Sequence, residues 1–460
     1  MEYGHVLDMV DKVVQEFASR ERVFADVRIE FVRSFFIEKN PETTRVREGS
    51  DVGAAVRVFN NGVWGFTSTM DLSPDSIRKA LELALKMTRV REGELKVKIL
   101  DPKEDYVRPV LKKDFRNVDP EIKLRDVEEY FRLLTEPSYV KSCTVYYADT
   151  YITKIYVSSD GRKIVQELAY AWLYTWITGS EAGQLTAVRD ERGTRDGYTI
   201  WDKWRPEELA GKIKKRLEGQ LRGAKPRAGK FPVVMAPEVV GVFVHEVFGH
   251  LAEADITMSG SIIKDKLGAK VGSELVTIID DPTIEGGFGT IKYDDEGVEA
   301  RPAVLVENGV VKELMVDRTY AELLNMKPTG NARAESFRVT PLIRMRNTIL
   351  KPRDMKFEEL LEGIEFGYYL VSFRGGQANM DGTFQVGIQE AYEIVNGEIG
   401  QPVKNMSISG NVLDILSKVT GVGKDFDIEY GRCGKGQTVY VSSGGPHVRV
   451  EEMLIGGLQA

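Results

Sequence analysis

The chain is short of the residues that would staple it or address it to an unusual environment. Two cysteines, Cys143 and Cys433, in 460 residues exclude a disulfide framework and fit a reducing compartment, where a lone cysteine serves as a small hydrophobe, a ligand or a nucleophile. Basic excess is missing: 63 Lys and Arg stand against 70 Asp and Glu, for a net charge of −7, so the footprint of a nucleic-acid binder is absent and no nucleic-acid partner is expected. Long apolar runs are missing too. Val239–Val244 and Ala169–Ile177 fall well short of the roughly 20 residues that span a bilayer, and no membrane partner is expected. The opening Met1-Glu2-Tyr3-Gly4-His5 has an acid where a signal peptide carries Lys or Arg, and no apolar core follows; a cytoplasmic location is expected. What is present, 42% hydrophobic and 29% charged residues, makes a globular chain with room for two or three domains at about 150 residues each.

The first half alternates helical and strand patterns. Val6, Leu7, Val10, Val13, Val14 and Phe17 share one helical face, and Ala25, Val27, Ile29 and Phe31 alternate with polar neighbours as a half-buried strand does. Val52–Phe59 and Val63–Thr67 flank Asn60-Asn61-Gly62, whose Asn and Gly tolerate positive φ, so a hairpin is predicted. Ser73 before Pro74 reads as a cap for a second helix, Leu124 to Leu134 as a third, and Pro206 to Leu221 as a fourth. Between Val145 and Val188 the period falls to two, with a turn at Ser158–Gly161. Tyr170, Trp172, Tyr174 and Trp176 then share a face, which reads as packed interior in preference to a stacking platform for a ligand. The basic, Gly- and Pro-containing stretch Gly223–Lys230 marks a boundary. Beyond it a helix-like block, Pro237 to Ala254, leads into many short β-like runs. The expected class is α+β: an N-terminal mixed α/β domain (1–223) with an antiparallel sheet and packed helices, and a C-terminal β-rich domain (224–460) carrying one metal-binding helix.

The sharpest local signal is His245-Glu246-Val247-Phe248-Gly249-His250, two of the chain's four histidines. At about 100° per residue, positions five apart point roughly 140° away from each other on a regular α-helix, so both rings reach one ion only across a wider, π-type turn. Gly249 is compatible with that distortion. A catalytic zinc takes three protein ligands and leaves one position open, so the histidines need a partner. Cys433 is the choice, in Gly431-Arg432-Cys433-Gly434-Lys435-Gly436-Gln437, where glycines allow close approach and the two cations favour a thiolate. Glu253, Asp255 and His447 compete as third ligand. Glu253 and Asp255 otherwise read as carboxylates that hold the imidazoles in the right tautomer, or as plain solvated groups. Cys143, at the edge of a strand, reads as a small hydrophobe.

These residues, with Asp294-Asp295-Glu296-Gly297, Thr329-Gly330-Asn331-Ala332-Arg333, Pro341, Arg344-Met345 and Asn347-Thr348 in order, resemble the TldD/PmbA family of metallopeptidases, specifically its metal-bearing TldD-type subunit. The resemblance covers most of the chain and is densest from Ala228 onward. It implies one Zn2+ per chain held by His245, His250 and Cys433, with Glu246 as catalytic base. It also implies a cytoplasmic peptidase that trims short or unfolded peptides, working as a dimer with itself or with a related metal-free subunit. Peptide specificity rests on the resemblance alone. Two rivals stand beside this reading: a copper redox protein, since two His and one Cys also suit a blue-copper site, and a non-catalytic, chaperone-like peptide-binding protein with a structural metal. A Glu directly after a helical histidine is what hydrolysis needs and electron transfer does not, and three ligands fit an open catalytic site better than a closed structural one.

Overall fold

The structure, a computed structural model, describes residues 3–89 and 92–457; the acid at Glu2 lies outside the described residues. The first half is one seven-stranded sheet built from β1 (Phe24–Lys39), β2 (Thr44–Asn60), β3 (Val63–Thr69), β4 (Lys103–Val107), β5 (Val140–Ser158), β6 (Arg162–Glu181) and β7 (Gln184–Thr194). The order is β3-β2-β1-β5-β6-β4, with β7 also on β6. All pairings are antiparallel except β4 with β6. The β2–β3 turn places Asn61 and Gly62 at φ 48° and 75°, the left-handed pair that matches strand twist in a two-residue hairpin.

Helices Gly4–Glu21 and Pro74–Thr88 cover one end of one sheet face and helices Pro120–Thr135 and Pro206–Arg222 the other. Their stripes fall as the periodicity predicts: Val10, Val14, Ile77 and Leu81 are fully buried, each contributing roughly 1.5–3 kcal/mol relative to exposure. Ser73 caps the second helix by accepting from the Ser76 amide.

The strand Phe24–Lys39 departs from expectation. Its polar positions do not face water: Asp26, Arg28 and Glu30 are as buried as Val27 and Ile29. They face the second half of the chain and meet its charges. Arg57 donates to Asp26 at 3.0 Å and to Glu296 at 2.8 Å, and Lys154 reaches Asp295 at 2.7 Å. Alternation of apolar and polar residues cannot distinguish a solvated face from one covered by a second, oppositely charged surface. Removing one member would strand a buried charge at a cost of about 3–5 kcal/mol.

In the second half, strands Phe366–Ala378, Gly229–Met235, Val448–Gly457, Met406–Asn411 and Thr383–Val395 pair in that order, and the last pairs back to the first. Five strands therefore close into a barrel. Strand Thr383–Val395 pairs with Phe366–Ala378 through register shifts around Ser372, which leave Val371, Arg374 and Gln389 out of the ladder. A separate sheet runs Val310–Val311, Ala303–Glu307, Ile278–Asp280, Asn347–Leu350, Thr438–Gly445, Asp427–Gly434. In the run predicted over Val310–Val316, the chain beyond Val310–Val311 makes only an isolated bridge, from Met315 to Glu253. Between the barrel and this sheet lies the segment from Pro237, whose Val239, Val240, Val244, Val247 and Phe248 are fully buried; a helix apolar on every side belongs inside a core.

Candidate metal centre

The block predicted as one helix is four short pieces: α-helix Pro237–Val242, π-helix Phe243–Gly249, a 3-10 turn His250–Ala252 and α-helix Ala254–Met258. The wide turn falls where the histidine spacing requires it, and the His250 amide bonds back five residues to the His245 carbonyl. The imidazole centroids stand 5.3 Å apart. Gly249 has helical φ and ψ, so it does not serve the distortion by unusual backbone. It serves by lacking a side chain, since a Cβ there would sit 2.1 Å from Met345 Sδ.

Cys433, 183 positions from His250, arrives on the edge strand Asp427–Gly434 with its Sγ 3.3 Å from His250 Nε2. One donor atom each from His245, His250 and Cys433 lies within 4.8 Å of the others. His447 is elsewhere, held by Asp425 at 2.7 Å and Tyr369 at 2.9 Å. Glu253, fully buried, takes His250 Nδ1 at 3.0 Å. Asp255 meets no imidazole and binds Lys435 at 2.7 and 2.8 Å. Glu246 lies beside both rings, 4.0 Å from His245 Nε2 and 3.9 Å from His250 Nε2. A cavity of about 180 Å3 opens on His245, Glu246 and Cys433, with Glu238 and Glu429 on its wall.

The electrostatics follow from this packing. Burial alone would push the Cys433 thiol up, but His245 and His250, through charge and hydrogen bonds, outweigh it and hold it at about 5. Burial disfavours the imidazolium of His250, yet Cys433 and Glu253 raise it to about 10, and Cys433 raises His245 against its own burial. Burial also disfavours the Glu253 carboxylate, but His250 and Lys435 keep its pKa below the ordinary value. The thiolate is therefore set by the two histidines. The flanking cations do other work: Arg432 lies over the Trp172 ring at 4.3 Å, and Lys435 bridges Glu253 at 3.1 Å, Asp255 and the Ile343 carbonyl at 3.0 Å.

Lys435 and Arg344 are the residues whose part the sequence hid. Arg344, fully buried, donates to the carbonyls of Cys433 and Gln437, each at 2.6 Å. Lys435 ties the cysteine loop to the end of the histidine segment, and Arg344 ties it to the stretch that follows strand Leu342–Ile343. Both lie in segments that match the family resemblance, but nothing local distinguishes a cation clamping a loop from one in solvent.

A thiolate and two imidazoles converging on one point, with a side open to a cavity, are the donor number and softness of a catalytic zinc site. A profile described as the PmbA/TldA metallopeptidase C-terminal domain matches residues 228–457, with domain 1 of that family at 25–88 and its central domain at 113–221. The chain belongs to the PmbA/TldD metallopeptidase family. It is 39% identical over 438 residues to a zinc metalloprotease TldD homolog of Saccharolobus solfataricus, covering 94% of this chain and 96% of that one. It is 38% identical to a metalloprotease of Methanothermobacter thermautotrophicus, covering 94% and 95%. In fold it is similar to TldE from Thermococcus kodakarensis, with TM-score 0.81 at 19% identity over 98% and 100% of the two chains. A Thermotoga maritima protein described as a modulator of a DNA gyrase also gives 0.81, at 23% identity over 98% and 99%. No helix among the described residues is long and apolar enough to cross a membrane.

Proposed function

We propose that this PmbA/TldD family member is a cytoplasmic zinc peptidase that hydrolyses short or unfolded peptides. It works as a dimer with itself or with a related metal-free chain, and its catalytic unit begins near residue 224. The observation that carries the reading is the convergence of His245, His250 and Cys433 with Glu246 beside both rings at the mouth of a cavity. His245, His250 and Cys433 would hold one Zn2+, which supplies Lewis acidity to the scissile carbonyl and to water. Glu246, adjacent to one donor and aimed between the rings, takes a proton from the attacking water and returns it to the departing amine. Glu253 fixes His250 by accepting from Nδ1, which leaves Nε2 free to ligate. Lys435 keeps that carboxylate ionised. The edge strand Asp427–Gly434 offers unpaired main-chain groups to an extended peptide, a mode that reads extension more than side chains.

The test combines metal analysis with turnover. Purified protein is expected to carry one zinc per chain and to cleave a short unstructured peptide, with activity lost to a chelator and restored by Zn2+. Glu246→Gln keeps the zinc and lowers turnover by roughly a hundredfold or more, the range for a lost general base. Parent-rate cleavage by a zinc-loaded Glu246→Gln protein would refute the mechanism and favour a peptide-binding role.

A further inference from the structure

The even-numbered residues of β5 and β6 form the sheet face opposite the helices, and the second half of the chain covers only one end of it. At the covered end Tyr170 stacks on Tyr440, centroids 4.1 Å apart and planes within 12°. Outward along the same strands the cover stops. There Phe36, Tyr146, Trp172 and Tyr174 wall an open groove of about 730 Å3, whose opposite wall includes Arg432 and Gly434, the two neighbours of Cys433. Trp176, 42% exposed, continues the row. The expectation that this aromatic stripe is packed interior therefore holds for Tyr170 and fails from Tyr174 outward.

The groove is built in advance of any ligand. Trp172 donates Nε1–H to Glu191 at 2.6 Å, is covered by the Arg432 guanidinium on one side, and lies 5.6 Å from Tyr174 at 23°. Tyr146 follows at 6.1 Å from Tyr174 and Phe36 at 5.8 Å from Tyr146. Rings braced in this way lose little entropy when a side chain enters. The groove also adjoins the metal-site cavity, because Glu191 and Arg432 border both. Arg432 is exposed on the groove wall, where its guanidinium is available to a main-chain carbonyl or carboxylate. A slot walled by the cysteine hairpin suits an inserted side chain, whereas a two-fold contact between copies would need a self-complementary surface.

We infer that this groove is a specificity subsite that receives a large aromatic side chain of the peptide bound across the Cys433 hairpin. The inference rests on the peptidase reading, deepening it from any unfolded peptide to peptides rich in aromatic residues. Where the edge strand would read the main chain, the groove reads a side chain.

The test uses the zinc-loaded full chain and a set of short peptides with Phe or Ala exchanged at each position in turn. At one position Phe is expected to raise kcat/KM by about tenfold or more, the discrimination a hydrophobic subsite achieves. Tyr174→Ala and Tyr146→Ala bring that ratio toward one, while Leu185→Ala, exposed on β7 outside the groove, keeps it. Tryptophan emission of the Glu246→Gln protein reads binding without turnover. It should change saturably with the Phe peptide, and the change should vanish in the Glu246→Gln, Trp172→Phe double variant. Cleavage with no Phe preference at any position overturns the subsite and leaves the peptidase standing. Phe-specific binding with no cleavage supports the groove and sinks the peptidase. Self-association abolished by Tyr174→Ala, with no peptide-dependent emission change, would make the groove an interface between copies and overturn the inference.

Discussion

Cys143 and Cys433 are both buried, and the two regions around them turn the same side chain into opposite chemistries. Cys143 sits under helix Pro120–Thr135 among Val145, Tyr147 and Ile177, where burial pushes its thiol up to about 12. Cys433 meets the same burial, but two imidazoles hold it at about 5. The difference lies in the partners the fold delivers, not in depth. The first region packs a hairpin and helix Pro120–Thr135 around Cys143, with Phe35 and Ile37 brought in by the β1–β5 pairing. The second is assembled by segments separated by up to 188 positions, from His245 to Cys433.

The largest way to break this comparison is to exchange the thiols one at a time. Cys433→Ser is expected to lose most of its zinc, measured by metal analysis of the folded protein, while Cys143→Ser keeps one zinc per chain. The latter instead loses about 1–3 kcal/mol of stability in urea unfolding, because a hydroxyl without a partner replaces a small hydrophobe. Full zinc retention by Cys433→Ser would move the third ligand to Glu253 or Asp255.

Next in size is the wide turn. Gly249→Ala drives a Cβ into Met345 Sδ, and overpacking of a core costs about 1–3 kcal/mol. Substoichiometric zinc and a lowered urea midpoint are expected. Gly434→Ala, with nothing within 4 Å of its added Cβ, should behave as the parent. Equal behaviour of the two variants would show that the turn does not depend on close packing.

Lys435→Met sharpens the same contrast. It keeps the stem of the side chain and removes the charge that Glu253 and Asp255 share. Zinc affinity, read by competition with a chromogenic chelator, should fall about tenfold to a hundredfold, the usual effect of disturbing a ligand's outer partner. Unchanged affinity would reduce Lys435 to a structural tie.

The smallest effect lies between the halves. Hydrogen bonds from Lys292, at 2.6 Å, and Tyr293, at 2.7 Å, hold Asp105 at about 2. An unfolded aspartate titrates near about 3.9. The folded value being the lower one, this contribution is complete above about pH 4 and fades as pH falls toward about 2. Asp105→Asn should therefore be less stable than the parent at pH 6, with a gap that narrows on acidification; a gap of constant width would assign the loss to packing instead.

Much of the fold was legible before any coordinates. The β2–β3 turn, the Ser73 cap and the four amphipathic helices each depend on residues within a few positions, and all appear where the pattern put them. The buried polar positions of β1 escape the local pattern because the surface that covers them lies as far as 308 residues away, where Arg28 donates to the Ser336 carbonyl. In the second half, strands of two to four residues such as Val310–Val311 and Asn347–Leu350 are too short to show a period, and the barrel is closed by pairings between distant segments.

The site divides along the same line. Two histidines five apart with a glutamate between them imply a widened turn by the arithmetic of 3.6 residues per turn, and that inference needs nothing beyond the sequence. A lone cysteine in a Gly-rich loop already stood out as a candidate third donor, and the fold brings it beside both imidazoles. Its low pKa, the Lys435 and Arg344 clamp, and the opening of the aromatic stripe into a groove were decided by the tertiary structure alone. Each depends on which surfaces meet across the fold, and a local pattern carries periodicity and backbone preference but no record of what a distant segment brings to rest against it.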